Sequence, residues 1–299
     1  MRILMPVDGS PLSKAALSFI ASRSTLIKNQ PEVELLNVQV PVSARVTRSA
    51  GKDLVQQHHE LEAAKITKPA LALLKRAGIR AQVVLVIGSP GADVGRVAAE
   101  DAADLIVMGS HGHTGFKNLL FGSVTQAVLA SCSTPLLVLR ADAVPKKDSL
   151  KVGIALDGSK YGLAAVRFVV KHRDLFGETP IITLVHVAPD LLNLVAPGFF
   201  GGARLPGFEP EQVAEMHRAA LESAMAPARK LLQPTGLQIA EAQLVGNNPG
   251  DAIAAFATKN KLDVLALGSH GEGAARSQVI GSVATRVAAK CRNALLIVR

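Results

Sequence analysis

The chain has 299 residues, 48% hydrophobic and 19% charged, with a formal net charge of +9 from 33 basic and 24 acidic side chains. That length suits two domains with cores of their own, and the composition is that of a soluble globular protein, since no apolar run nears the thickness of a bilayer. The basic charge is scattered, Trp is absent, Tyr161 is the only tyrosine and aromatics total 3%, so a stacking platform for single strands is missing and no nucleic-acid partner is expected.

Ile3 to Val7 reads as a short apolar strand ending at Asp8. Pro11 to Ile27 carries Leu12, Ala15, Ala16, Phe19 and Ile20 at helical spacing, with Ser10 as the N-cap. Val33 to Val40 is the second strand. A long helix runs from Lys52 to Arg76, is stopped by Ala77-Gly78 and is kinked or divided at Pro69; His58 and His59 on it suit a surface or an interface. Gln82 to Ile87 is the third strand, and Gly91 to Ala103 a helix turning Val94, Val97 and Ala98 inward. Leu105 to Met108 is a fully apolar fourth strand, Ser123 to Ser131 a helix, and Leu136 to Leu139 the fifth strand. Strands alternating with helices, several of them unbroken apolar runs, indicate a parallel sheet covered on both faces.

This order occurs twice. Arg2 to Ser10 matches Lys151 to Ser159, with Asp8-Gly9-Ser10 and Asp157-Gly158-Ser159 lying 149 positions apart. Leu36-Asn37-Val38 and Val185-His186-Val187 keep that offset. It has become 159 by Gly109 and Gly268, and stays there through Cys132 and Cys291 to the terminal runs ending in Arg140 and Arg299. A period this long means duplicated domains, here residues 1–141 and 151–299 with 142–150 as a linker. The second copy carries about ten extra residues, near Pro189 to Pro210, whose Leu191, Leu192, Phe199, Phe200 and Phe208 suit either a lid or partner surface or a loop packed on its own domain.

The most informative repeat is G-x2-G-x9-G-S. It runs from Gly109-Ser110-His111-Gly112 to Gly122-Ser123, and from Gly268-Ser269-His270-Gly271 to Gly281-Ser282. Glycines serve where a backbone comes close to a ligand or takes positive φ. A Gly-Ser pair opening a helix offers free N–H groups and the positive dipole end to a phosphate. The same residues also suit tight turns and helix starts with no ligand. Ligands of parallel sheets sit beyond the carboxyl ends of strands, where the strand order reverses. If the first and fourth strands are neighbours, Asp8 and Asp157 each face their own Gly loop; they also suit caps of the next helix. Lys117 and Arg276 either steer phosphates or are solvated. No carboxylate or cysteine stands at metal-ligand spacing beside His111, His113 or His270, so no metal site is expected.

Cys132 and Cys291 are repeat-equivalent and suit small buried residues better than a disulfide. With no export signal in the residues at hand, the cytoplasm is the expected compartment. The short apolar fifth strand of each half presents an edge that seeks another strand. Leu136–Leu139 pairing with Leu295–Val298 would join the halves as an intramolecular pseudo-dimer; a homo-oligomer through the same edges is the other arrangement.

With its doubled signature, an Asp after each first strand, and the turns Gly88-Ser89-Pro90 and Asn247-Asn248-Pro249 after the third strands, the chain resembles a tandem universal stress protein along nearly its whole length. The resemblance implies an α/β fold of two tandem Rossmann-like, HUP-type domains, each a five-stranded parallel sheet of order 3-2-1-4-5 with helices on both faces. It also implies ATP as the ligand, with any Mg2+ held through its phosphates. Carried over by position, Pro6, Val7 and Asp8, with Leu156 and Asp157, would border the adenosine end. Val38 and Val187 would offer backbone groups to the adenine edge. Met108, Gly109, His111 and Gly112, with Leu267, Gly268, His270 and Gly271, would pass near ribose and α-phosphate. Gly122, Ser123, Val124 and Thr125, with Gly281, Ser282 and Val283, would hold the distal phosphates. Ala284 stands opposite Thr125 and Glu272 opposite His113, so the second site is expected to be the weaker.

The sequence lacks G-x4-G-K-[S/T], G-x-S-x-G and paired acids at catalytic spacing. The expected role is a nucleotide-dependent stress regulator with little or no catalysis. A slow ATPase or nucleotidyl-transfer enzyme and a ligand-free assembly scaffold are the rival readings.

Overall fold

The computed structural model describes residues 1–110, 121–140, 144–191, 209–271 and 280–299. His111, Gly112, His113, Lys117, Glu272, Arg276, Ala141 and most of the extra segment (192–208) lie outside the described residues.

The first half comprises β1 (Arg2–Pro6), α1 (Pro11–Ala21), α2 (Ser24–Lys28), β2 (Glu32–Gln39), α3 (Ala44–Ala50), α4 (Lys52–Arg76), β3 (Ala81–Ile87), α5 (Pro90–Glu100), β4 (Leu105–Gly109), α6 (Ser123–Ser131) and β5 (Leu136–Leu139). The second comprises β6 (Lys151–Ala155), α7 (Lys160–Lys171), β7 (Ile181–Ala188), α8 (Pro210–Leu232), β8 (Gln238–Val245), α9 (Pro249–Lys259), β9 (Val264–Gly268), α10 (Ser282–Lys290) and β10 (Ala294–Val298).

The five strands of each half do not stand as a sheet of their own: the pairing of Leu136–Leu139 with the last strand, one of the two arrangements expected, joins them. All ten strands form one sheet in the order β3-β2-β1-β4-β5-β10-β9-β6-β7-β8. Within each half the expected 3-2-1-4-5 order holds and the pairs are parallel. At the junction β5 and β10 pair antiparallel, with Val138 opposite Leu295, Leu137 opposite Leu296 and Leu136 opposite Ile297. The physical cause is the composition of those strands. Every residue of both is buried, so their backbone edges need partners that water does not supply.

Alternation along the strands divides the core into two layers that run through both halves. On one face Ile3, Met5, Val107, Leu137, Val152, Ile154 and Leu296 pack with residues of α1, α7 and α8. On the other, Leu4, Ile106, Leu136, Val138, Leu265, Leu295 and Ile297 pack with α5, α6, α9 and α10. Both cysteines are buried and free, as expected. Among the described residues, no helix is long and apolar enough to cross a membrane.

Three local readings change. The helix expected over Pro11 to Ile27 breaks at Ser22 and Arg23. The Arg23 guanidinium is fully buried, lies 4.8 Å from the Phe19 ring centroid and donates to the Asp148 carbonyl at 2.9 Å. Pro69 sits inside α4 without dividing it. His59 is buried rather than superficial: its Nδ1 lies 2.6 Å from Gln39 Oε1, which ties α4 to the end of β2.

Candidate functional site

β1 lies between β2 and β4, and β6 between β7 and β9, so the strand order reverses at β1–β4 and β6–β9. The two Asp-Gly-Ser turns leave β1 and β6 at those points. Ser10 caps α1, its Oγ accepting from Ser13 N–H at 3.2 Å, and Ser159 caps α7, accepting from Gly162 N–H at 3.1 Å. Asp8 and Asp157 are therefore not the caps. Each instead closes the turn, Oδ1 accepting from Ser10 N–H at 2.9 Å and Ser159 N–H at 3.0 Å. Gly9 (φ +79°) and Gly158 (φ +85°) hold the left-handed conformation that these turns need.

A buried polar side chain fixes the strand tip in each half. Asn37 Nδ2 donates to the Val7 carbonyl at 2.8 Å, and His186 Nδ1 stands 2.9 Å from the Leu156 carbonyl. Across the switch point the fourth strand turns back on itself. Gly122 N–H donates to Ser110 O, and Gly281 N–H to Ser269 O, both at 2.7 Å. Gly122 and Gly281 are then the N-caps of α6 and α10, with φ of −64° and −60°. These glycines do not serve positive φ. A Cβ on Gly281 would lie 3.2 Å from Ser269 O and 3.3 Å from His270 Cα, so glycine is used there for close approach.

In the second half these pieces enclose a cleft of about 520 Å³. Every residue assigned to that half from sequence lines it: Leu156, Asp157, Val187, Leu267, Gly268, His270, Gly271, Gly281, Ser282 and Val283. Ala155, Gly162, Pro249, Ile253 and Ser269 line it too without having been assigned to it, and Ala284 lines it as the expected counterpart of Thr125. Pro249 was legible as part of the Asn-x-Pro turn; Ile253 sits one helical turn later on α9 and faces the cleft only because α9 packs beside α10. Gly268 admits α7, since a Cβ there would meet Tyr161 Cβ at 2.6 Å. The His270 ring lies 5.2 Å from that of Tyr161, and its Nδ1 is 2.8 Å from Ser269 Oγ.

In the first half Pro6, Val7, Asp8, Val38, Met108 and Gly109 occupy the matching strand tips, and Ser123 and Val124 the first turn of α6. Thr125 is buried, and its hydroxyl donates to Gly109 O at 3.1 Å. It holds the loop to the helix, a role its counterpart Ala284 cannot take. Beside the second cleft, Arg286 on α10 grips Asp251 on α9 through two hydrogen bonds, at 2.9 and 2.7 Å. The guanidinium holds the Asp251 carboxyl below the ordinary carboxylate range. Among the described residues no group of three His, Cys, Asp or Glu side chains is arranged to hold a metal ion.

The chain was compared with known proteins. The model of the universal stress protein family matches it twice, over residues 1–140 and 150–299. A universal stress protein of Methanocaldococcus jannaschii is 29% identical over 155 residues, covering 46% of this chain and 94% of its own length. One of Mycobacterium tuberculosis (strain H37Rv) is 24% identical over 316 residues, covering 99% of this chain and 96% of its own. The crystal structure of a universal stress protein from Archaeoglobus fulgidus has the same fold, with a TM-score of 0.69 at 20% identity over 100% of this chain and 98% of that one.

Proposed function

The chain belongs to the universal stress protein family, and from that premise we propose that each half binds ATP at its strand-tip cleft and that occupancy sets the protein's regulatory state, with little or no turnover. The observation that carries this reading is the second cleft. Its volume of about 520 Å³ falls in the range of small-molecule sites, about 300–1,000 Å³. It opens beyond the carboxyl ends of β6 and β9, with the Gly281-Ser282 helix start on one side and Asp157 on the other.

The residues present fit a nucleotide. The first N–H groups of α10 have no intrahelical acceptors and suit phosphate oxygens, as does the Ser282 hydroxyl. Gly271 and Gly281 lie where any Cβ would crowd the crevice. Leu156, Val187, Ile253 and Leu267 supply apolar wall for a base. A Mg2+ ion would enter with the phosphates. The first half carries the same elements in Asp8, Val38, Gly109, Gly122 and Ser123, at the equivalent strand ends and helix start, and the same ligand is assigned to it. The sequence has neither a G-x4-G-K-[S/T] loop nor a G-x-S-x-G elbow, which favours a binding role over fast hydrolysis.

The test is direct. Heat-denature the purified protein, clear the precipitate and identify released nucleotide by chromatography and mass. Released ATP supports the regulator. ADP with steady phosphate release under excess ATP supports the enzyme. No nucleotide and no ATP-dependent rise in melting temperature supports the scaffold.

A further inference from the structure

At the end of β5, Arg140 reaches out of its own half and its Nη2 donates to the Ala288 carbonyl in the last turn of α10. At the end of β10, Arg299 does the reverse, its Nη2 donating to the Leu129 carbonyl in the last turn of α6. Donors and acceptors are each 159 positions apart, so this is one contact repeated about the β5–β10 junction. Both carbonyls are among the last four of their helices, which no intrahelical N–H reaches. They also lie at the negative end of the helix dipole, where a guanidinium satisfies hydrogen bonding and charge together.

The other end of α10 opens on the cleft of the second half, and α6 starts at the matching place of the first half, where the proposed function puts the other nucleotide. α6 and α10 are nine residues long, and they start at Ser123 and Ser282. Each arginine therefore holds the tail of the helix whose head faces the opposite half's cleft. Arg140 makes a second contact as well. Its guanidinium lies over the Phe121 ring, 5.2 Å from the centroid, and buried Phe121 directly precedes Gly122. One side chain thus touches both the entry to the first cleft's helix and the tail of the second's.

Resting on the nucleotide reading above, we propose that Arg140 and Arg299 are positioning residues acting in trans and that they make the two clefts bind nucleotide with positive cooperativity. A phosphate on the Ser123 and Val124 N–H groups fixes the helix start that follows Phe121, and with it the ring under Arg140 and the tail of α10. The second nucleotide then has less to order than the first, which is coupling by shared conformational cost. The coupling is reciprocal between the sites.

The experiment is calorimetric titration of the full chain with ATP, on the wild type, Arg140→Gln, Arg299→Gln and Phe121→Leu. The wild type is expected to bind its second ATP at least about fivefold tighter than two independent sites would. Arg140→Gln and Phe121→Leu are expected to abolish that factor. With the first cleft blocked by Gly122→Val, Arg140→Gln should still weaken the remaining site, although the residue belongs to the other half. With Gly281→Val, Arg299→Gln should do the same to the first cleft. Arginines that only stabilise their own half would lower melting temperature without these cross-half effects. Two-site binding with no coupling in the wild type, or coupling unchanged in Phe121→Leu and in whichever arginine variants fold, overturns the proposal alone. No ATP binding by the wild type overturns the nucleotide reading and this inference with it.

Discussion

The Asp157 carboxylate stands opposite Gly271 across the second crevice, so close that a Cβ on Gly271 would lie 2.8 Å from Oδ2. One strand ends in the acid, its neighbour leads into the glycine, and the gap between them is set by the β6–β9 pairing.

Gly271→Ala should push Asp157 out of position. ATP affinity at the second cleft is expected to fall about tenfold or more, the equivalent of one hydrogen bond to a charged group at about 1.5–3 kcal/mol. Calorimetry in a Gly122→Val background isolates that site. Unchanged affinity there would mean that Asp157 does not face the ligand.

Arg23→Ala should destabilise the protein without touching either cleft. The change leaves the Asp148 carbonyl without its donor and removes the cation from the Phe19 face. A loss of about 2–4 kcal/mol is expected in urea unfolding. A loss under 1 kcal/mol would show that the buried guanidinium is dispensable.

Stability should also depend on His172. This buried imidazole packs on Phe168 at 4.7 Å and stands 3.8 Å from Asp104. Burial pushes its pKa below the ordinary 6.5, and the nearby Asp104 only partly offsets this; Lys171 lowers it further and Asp174 raises it. Asp104 itself is held low against its own burial by Arg2 N–H and Lys171. Because the folded His172 binds its proton less readily than the unfolded one, its contribution is complete above pH about 6.5 and is lost as pH falls toward the depressed value. Urea midpoints for the wild type should therefore drop more steeply between pH 8 and pH 5 than those of His172→Gln. Parallel profiles would contradict this.

Much of this was legible in the chain. The doubled Asp-Gly-Ser and Gly loops carried the resemblance that implied the strand order of each half. Residues carried over by position from that resemblance line the second cleft down to Val187, which is brought there by strand pairing. Local breaks were less legible. Apolar spacing continues past Arg23, so nothing local announces that a buried guanidinium will end α1. The Arg140 and Arg299 contacts were invisible for a related reason: their acceptors are backbone carbonyls 148 and 170 residues away, and a carbonyl carries no sequence signal. Thr125 was placed at the distal phosphates by position within the resemblance, and its buried hydroxyl donates to Gly109 O.

The central claim is that the glycine-walled strand-tip clefts are nucleotide sites, and ATP titration of the wild type beside the Gly122→Val/Gly281→Val double variant tests it most directly. Two ATP per wild-type chain are expected, with binding abolished in a double variant that still melts cooperatively. A wild type that gives no heat with ATP, or a double variant that binds as well as the wild type, would contradict the account.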